Sequence, residues 1–197
     1  MSSKAWQSAD NTDRGEKIAI RKRLLAQIDA PSVLECYAGD GAIWRECYQG
    51  LPCLGLDLKP IRDGRTLLQV DNRKFLRSAD LCRFNVFDLD AYGSPWHQWL
   101  ILLHRRPFAA GEKVAVFLTD GLDFKMRMSS IPQGLRPYLG IPAGMDIPCL
   151  HAHHDFINAL VVARSTRAAG LDILEAREAQ NPRGNMRYYG LILKKVL

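Results

Sequence analysis

What the chain lacks narrows it first. No apolar run approaches the roughly 20 residues that cross a bilayer. The opening stretch MSSKAWQSADNTDRGEK has no apolar segment of the secretory kind. We therefore expect a soluble, cytoplasmic protein with no membrane partner. The five cysteines, Cys36, Cys47, Cys53, Cys82 and Cys149, are odd in number and none forms a C-x-x-C pair. That argues against a disulfide framework or a zinc finger and for reduced thiols. Internal repeats and low-complexity segments are missing too. What remains is an ordinary globular composition, 47% hydrophobic and 24% charged over 197 residues. Such a chain has room for one sizeable core and hardly for two. The 27 basic residues outnumber the 21 acidic ones, for a net charge of +6. The excess leans towards a polyanionic partner.

Strand and helix patterns alternate along the chain. Residues 1–30 read as a flexible arm followed by a helix from Arg14 to Ile28. Ile18, Leu24, Leu25 and Ile28 fall roughly on one side of that helix, with Arg14, Lys17, Arg21, Lys22 and Arg23 around the rest. Residues 31–197 form the main domain of a chain that is a single domain overall. In it, SVLECYA, LPCLGLDL, TLLQV, CRFNVFDLD and KVAVFLTD read as strands, with helices in AIWRECYQ, NRKFLRSA and PWHQWLILLHRR. Residues 121–148 are rich in Gly, Pro, Met and Ser and read as a long loop or lid. HAHHDFINALVVARSTRAAG is a helix capped by Gly170, and LDILEAREAQ and MRYYGLILKKV are strands of a hairpin turned by NPRGN. The alternation predicts an α/β fold with a mainly parallel sheet and a C-terminal antiparallel hairpin. One link resists, because KPIRDGR is too short for the usual parallel crossover. Either the helix there is reduced to a turn or a strand is misplaced.

The strongest chemical signal is VLECYAGDG, residues 33–41. A hydrophobic strand ends in Glu35, and the chain turns through Gly39 and Gly41 into a helix. That geometry brings bare backbone close to a ligand at the carboxyl end of a strand. The next strand ends in Asp57, 18 residues after Gly39, where a carboxylate can accept two ribose hydroxyls. Alone, the glycines would be a tight turn and Asp57 a solvated strand-end acid. Together they point to a nucleoside-containing cofactor. No third glycine follows at the dinucleotide spacing, since position 44 is Trp, which counts against a nicotinamide enzyme.

VLECYAGDG resembles the first motif of the class I S-adenosylmethionine-dependent methyltransferases, and GLDL resembles their second. The resemblance implies a Rossmann-like fold with S-adenosyl-L-methionine as cofactor, held by Glu35, Ala38, Gly39, Gly41, Asp57, Leu58, Asp71 and Asn72. FDLDAYGSPW, residues 87–96, resembles the D-L-D-P-[F/Y]-G-S-P stretch of the tRNA dimethylguanosine methyltransferases, with Ala91 in place of proline. Thr119 and Asp120 match a T-D of that family. The similarity runs from about Val33 to Asp120, without the family's C-terminal domain. It implies methylation of an exocyclic base amine, with RNA favoured over DNA. Asp90 and the Ala91 carbonyl would each accept an amine N–H, with Tyr92 against the base. Trp96 reads as core. The rivals are a DNA amino-methyltransferase, a non-catalytic cofactor- or nucleic-acid-binding module, and an enzyme for a small molecule or protein. There is room for a protein partner in substrate recognition, and the oligomeric state is left open.

Other residues invite chemistry that their context does not support. Cys149 follows Pro148 but lies beyond the loop, and we read it as a small buried residue. His151, His153 and His154 have no matched second ligand cluster, so no metal is expected. The clusters Arg21-Lys22-Arg23, Arg105-Arg106, Lys125 with Arg127, and Arg183 with Arg187 each read as solvated surface. Collectively they could form a phosphate track.

Overall fold

The computed structural model describes residues 14–196 apart from positions 92, 143 and 146, and only the backbone of Phe124. The arm expected at residues 1–13 lies outside the described residues. The aliphatic runs become β1 (Val33–Glu35), β2 (Cys53–Asp57), β3 (Leu67–Gln69), β4 (Val86–Leu89), β5 (Lys113–Asp120), β6 (Leu171–Gln180) and β7 (Arg187–Lys195). They form one sheet in the order β3-β2-β1-β4-β5-β7-β6. The pairs from β3 through β5 are parallel. β7 runs antiparallel to both β5 and β6. This is the α/β class with a closing hairpin that the strand pattern predicts. Helices α1 (Gly15–Leu25), α2 (Asn72–Ser78), α3 (Trp96–Arg105), α4 (Asp123–Arg127), α5 (Arg136–Leu139) and α6 (His154–Ala168) flank the sheet, with a π-helical segment at Trp44–Tyr48. Gly170 ends α6 with φ +66°, the glycine cap expected there.

The resisting link proves to be a turn. β2 and β3 pair in parallel from Gly55↔Leu67 to Asp57↔Gln69, with no helix in the residues between them. Arg65 braces the gap. Its guanidinium donates to the Ala38 and Gly39 carbonyls, each at 2.8 Å. Gly41 leaves room for it, since a Cβ there would lie 2.7 Å from the guanidinium carbon.

The sheet is covered on both faces, and strand alternation sorts its side chains. Val114, Val116 and Leu118 of β5 face Trp99, Leu102 and Val161 in one core. Ala115 and Phe117 point the other way, into a second core with Ile20, Leu24 and Tyr188. α1 belongs to that second layer. Its buried stripe is Lys17, Ile20, Arg21 and Leu24, an i, i+3, i+4, i+7 face. This corrects the expected apolar side, because two of its four members are cations. Arg21 is not solvated: it is 2% exposed, and its Nε and Nη2 both reach the Asp88 carboxylate at 2.7 Å. Asp88 is fully buried on β4 and also accepts the Tyr48 hydroxyl at 2.5 Å. The guanidinium lies over the Phe117 ring, 5.3 Å from its centroid.

Two substitutions test this docking. Gly190 on β7 lets α1 approach, since a Cβ would lie 2.4 Å from Ile20 Cγ2 and 2.6 Å from Leu24 Cδ1. Gly190→Ala should cost about 1–3 kcal/mol, read as a lower midpoint in denaturant. Arg21→Met strands the Asp88 carboxylate and should cost about 3–5 kcal/mol. If Arg21→Met unfolds at the wild-type midpoint, the pair does not anchor α1.

Candidate active site

The strand order reverses between β1 and β4. The chain winds from β1 outward to β3, then returns to β4 and moves the other way. Ligands of open α/β sheets settle in the crevice at that reversal, outside the carboxyl ends of the strands. Two clefts open there. One, of about 640 Å³, is lined by Lys17, Glu35, Gly39, Asp57 and Asp90 among others. The second, of about 720 Å³, runs between Leu58, Asp71, Trp96, Lys125 and Leu135. Tyr37 and Asp57 line both.

Glu35 ends β1 and is 3% exposed. Its Oε2 has no hydrogen-bond partner among the described residues, and the Arg65 guanidinium stands 3.7 Å away. Burial, reinforced by Asp88, pushes its carboxyl up to about 8 despite Arg65. Ala38 is buried, and Gly39 and Gly41 take φ of +43° and +72° in the turn that follows. Asp57 ties this turn to β2: Oδ2 accepts the Gly39 N–H at 3.1 Å, and Oδ1 accepts the Lys59 N–H at 2.8 Å. Each oxygen, with one N–H accepted, keeps further acceptor capacity, and Asp57 lines both clefts. Leu58 is 68% exposed on the wall of the larger cleft.

Asp71 and Asn72 line the same cleft with side chains already engaged. Asp71 caps α2, its Oδ1 accepting the Arg73 and Lys74 N–H groups. The Arg73 side chain, with these N–H groups, holds its carboxyl well below the usual range. Asn72 donates to the Cys36 carbonyl at 2.8 Å and accepts from Gln98 at 2.9 Å. Both shape the cleft wall, so the cofactor contacts expected of them would have to share these bonds.

Asp90 lies one residue beyond β4 and lines the smaller cleft with Glu35. Its Oδ1 accepts the Lys17 ammonium at 2.6 Å, and Arg21 Nη2 is 3.7 Å from Oδ2. The carboxylate is therefore already paired. Sequence reasoning missed this, because Lys17 and Arg21 look like surface charge until the acids of β4 are placed opposite them. Their i, i+4 spacing, against the D-x-D of Asp88 and Asp90, was the available signal. Ala91 is 3% exposed. Tyr92, expected against the base, lies outside the described residues. Trp96 is fully buried, a core residue that also lines the larger cleft.

Beyond β5 the segment expected as a lid contains α4, α5 and a short 3-10 turn at Gln133–Leu135. Gln133, Gly134 and Leu135 close the larger cleft. Lys125 and Arg127 are exposed, and Lys125 lines this cleft. Of the three histidines, His151 and His153 are exposed and His154 is buried. His154 Nε2 lies 2.7 Å from Asp120 Oδ2, which also accepts from Asn158 at 2.7 Å. Among the described residues no group of three or more His, Cys, Asp or Glu could hold a metal ion. Cys149 is exposed, not buried as expected, and sits at φ +51°. Two further arginines read as solvated are buried: Arg106 on Glu112 and the Phe84 carbonyl, Arg187 on Asp155. Arg106 joins the segments that lead into β4 and β5, and Arg187 ties α6 to β7, which removes both from any phosphate track.

No protein-family model matches the chain, and no curated protein sequence matches it. Solved structures do. The N-methyltransferase NodS from Bradyrhizobium japonicum WM9 superposes with a TM-score of 0.51 at 14% identity, over 94% of this chain and 99% of that one. The 1,6-didemethyltoxoflavin-N1-methyltransferase of Burkholderia thailandensis, with S-adenosylhomocysteine bound, gives 0.53 at 15% identity, over 94% and 80%. The magnesium protoporphyrin IX methyltransferase of Synechocystis PCC 6803 gives 0.51 at 10% identity, over 89% and 81%. At such identities the likeness is one of fold: the chain has the Rossmann-like fold of these methyltransferases.

Proposed function

We propose that the protein is an S-adenosylmethionine-dependent methyltransferase acting on an exocyclic amine of a nucleic-acid base, with RNA as the polymer. One observation carries the cofactor site and the transfer residue of this reading. Glu35, Gly39, Asp57 and Asp90 line a single cleft at the strand-order reversal. The solved structures of like fold, several with S-adenosylhomocysteine bound, support the cofactor. The base amine rests on the resemblance of DLDAYGSP, and the RNA on that resemblance and the net charge of +6.

The residues present fit the cofactor. The orphaned Glu35 Oε2 suits a cationic amine, and the open lone pairs of Asp57 suit ribose hydroxyls. Leu58 offers an exposed apolar face to a base. When bound, S-adenosylmethionine supplies a methyl on a sulfonium centre, which becomes a neutral thioether as the C–S bond breaks and the C–N bond forms. Asp90 accepts one N–H of the amine, holding its nitrogen in line, and takes the proton that the methylated nitrogen sheds. The Ala91 carbonyl takes the second N–H.

Glu35 makes binding proton-linked. With its carboxyl pushed up to about 8, it is mostly protonated at pH 7. A cation seated against it favours the carboxylate, so binding must release a proton. Calorimetry of S-adenosylhomocysteine at pH 7, in buffers of differing ionisation enthalpy, should show release of about one proton. Glu35→Gln should abolish the buffer dependence.

The transfer itself is tested with radiolabelled S-adenosylmethionine. Separate pools of unmodified tRNA, other RNA, DNA and protein are offered to the wild type and to Asp90→Ala. Label should enter RNA and fall about 100-fold or more in the variant, with S-adenosylhomocysteine binding kept. Label confined to DNA or protein, or absent from every pool, would overturn the RNA-amine reading.

A further inference from the structure

We propose that Lys17 is a positioning residue of the transfer site: its ammonium pins Asp90 through Oδ1 and leaves Oδ2 for the incoming amine. This rests on the reading of Asp90 given above. The ion pair is short, 2.6 Å between Nζ and Oδ1, and Lys17 is 1% exposed while the Asp90 side chain keeps 13%. Both residues line the cleft that holds Glu35 and Gly39. The lysine is itself held, with its ammonium 5.0 Å from the Tyr188 ring centroid and its carbonyl accepting from Arg21 at 3.0 Å.

A purely structural role accounts poorly for this lysine. The Arg21–Asp88 pair already fastens α1 one turn further on. An apolar side chain over Tyr188 would dock the helix without desolvating an ammonium. Burial lowers the Lys17 ammonium despite Asp90, so the site bears an electrostatic cost at this position. The carboxylate gains from it. Burial would push Asp90 up, and Arg21 with Lys17 outweighs burial and holds it below the usual range. The groups facing Asp90 are Lys17 and Arg21 from α1, Asp88 from β4, Glu35 from β1 and the Thr119 hydroxyl from β5. Lys17 is the cation in contact with Oδ1. The second carboxylate oxygen is 3.7 Å from Arg21 Nη2, beyond a hydrogen bond. The result is an anion fixed in place through Oδ1, with no cation within hydrogen-bond range of Oδ2 among the described residues.

The test follows the Asp90 carboxyl directly, by ¹³C NMR titration of aspartate-labelled protein, with its resonance assigned by its loss in Asp90→Asn. Lys17→Met and Lys17→Gln should each raise the Asp90 midpoint by about one to three pH units. Lys17→Arg should keep it near the wild-type value. In the polymer pool that takes label, the acid limb of kcat/KM should rise with the midpoint in the neutral variants, while KM for S-adenosylmethionine stays unchanged. Lys17→Arg should restore the limb. An Asp90 midpoint that does not move in either neutral variant, with near-UV circular dichroism intact, would overturn the proposal. So would a moved midpoint with an unmoved acid limb. Because the titration needs no turnover, a failure to find a methyl acceptor would count against the function and leave the Lys17–Asp90 coupling separately decided.

Discussion

A single buried ion pair organises this molecule. Asp88 sits in the middle strand of the sheet with no exposure to water, a position where an unpaired carboxylate is untenable. Arg21 meets it with two hydrogen bonds and Tyr48 with a third. The consequence is long-range order. The first helix is fixed to the fourth strand, 67 residues away in sequence, and the π-helical turn after the glycines is fixed to the same atom. The α1 side of the cleft takes its position from this knot. Glu35 is raised partly by the Asp88 charge beside it. Asp90, two residues on, is placed where the helix can deliver Lys17.

The charges at the strand ends are graded by their surroundings. Asp71 and Asp57 are met by backbone N–H groups in partly open positions. Asp90 is met by cations at the cleft wall. Among the described residues Glu35 Oε2 has neither at hydrogen-bond range, and the Glu35 proton is the one a cationic ligand would displace. Four carboxylates on one edge thus differ in what they can accept, which is what a site needs if it is to tell a ribose from an ammonium and a substrate amine.

Much of the fold could be read from periodicity. The aliphatic runs from Val33 to Asp120 have no long competing helix pattern, and Gly170 and NPRGN punctuate the end clearly. The glycine turn and Asp57 were legible because backbone conformation and strand-end position leave marks in sequence. Lys17 and Arg21 were not. A helix whose buried stripe contains two cations has no apolar signature, and its meaning depends on acids far along the chain. Arg65 was hidden likewise, since nothing local in KPIRDGR says that the guanidinium will turn inward and bridge carbonyls of another loop. His154 and Arg187 fail for the same reason: their partners come from packing rather than spacing.

The short link between β2 and β3 gives the sheet an uneven stiffness. β5 is buried along nearly its whole length, whereas β3 is a three-residue edge strand with Leu68 45% exposed. Where other crossovers lay a helix over the sheet, this one leaves a ledge braced chiefly by one arginine. Opening of such an edge takes little free energy compared with the centre. A ligand leaning on Asp57 and Leu58 would add contacts beside this thinly covered edge. Occupancy of the cleft would therefore be felt first as a quieting of this margin, well before the rigid centre registers it.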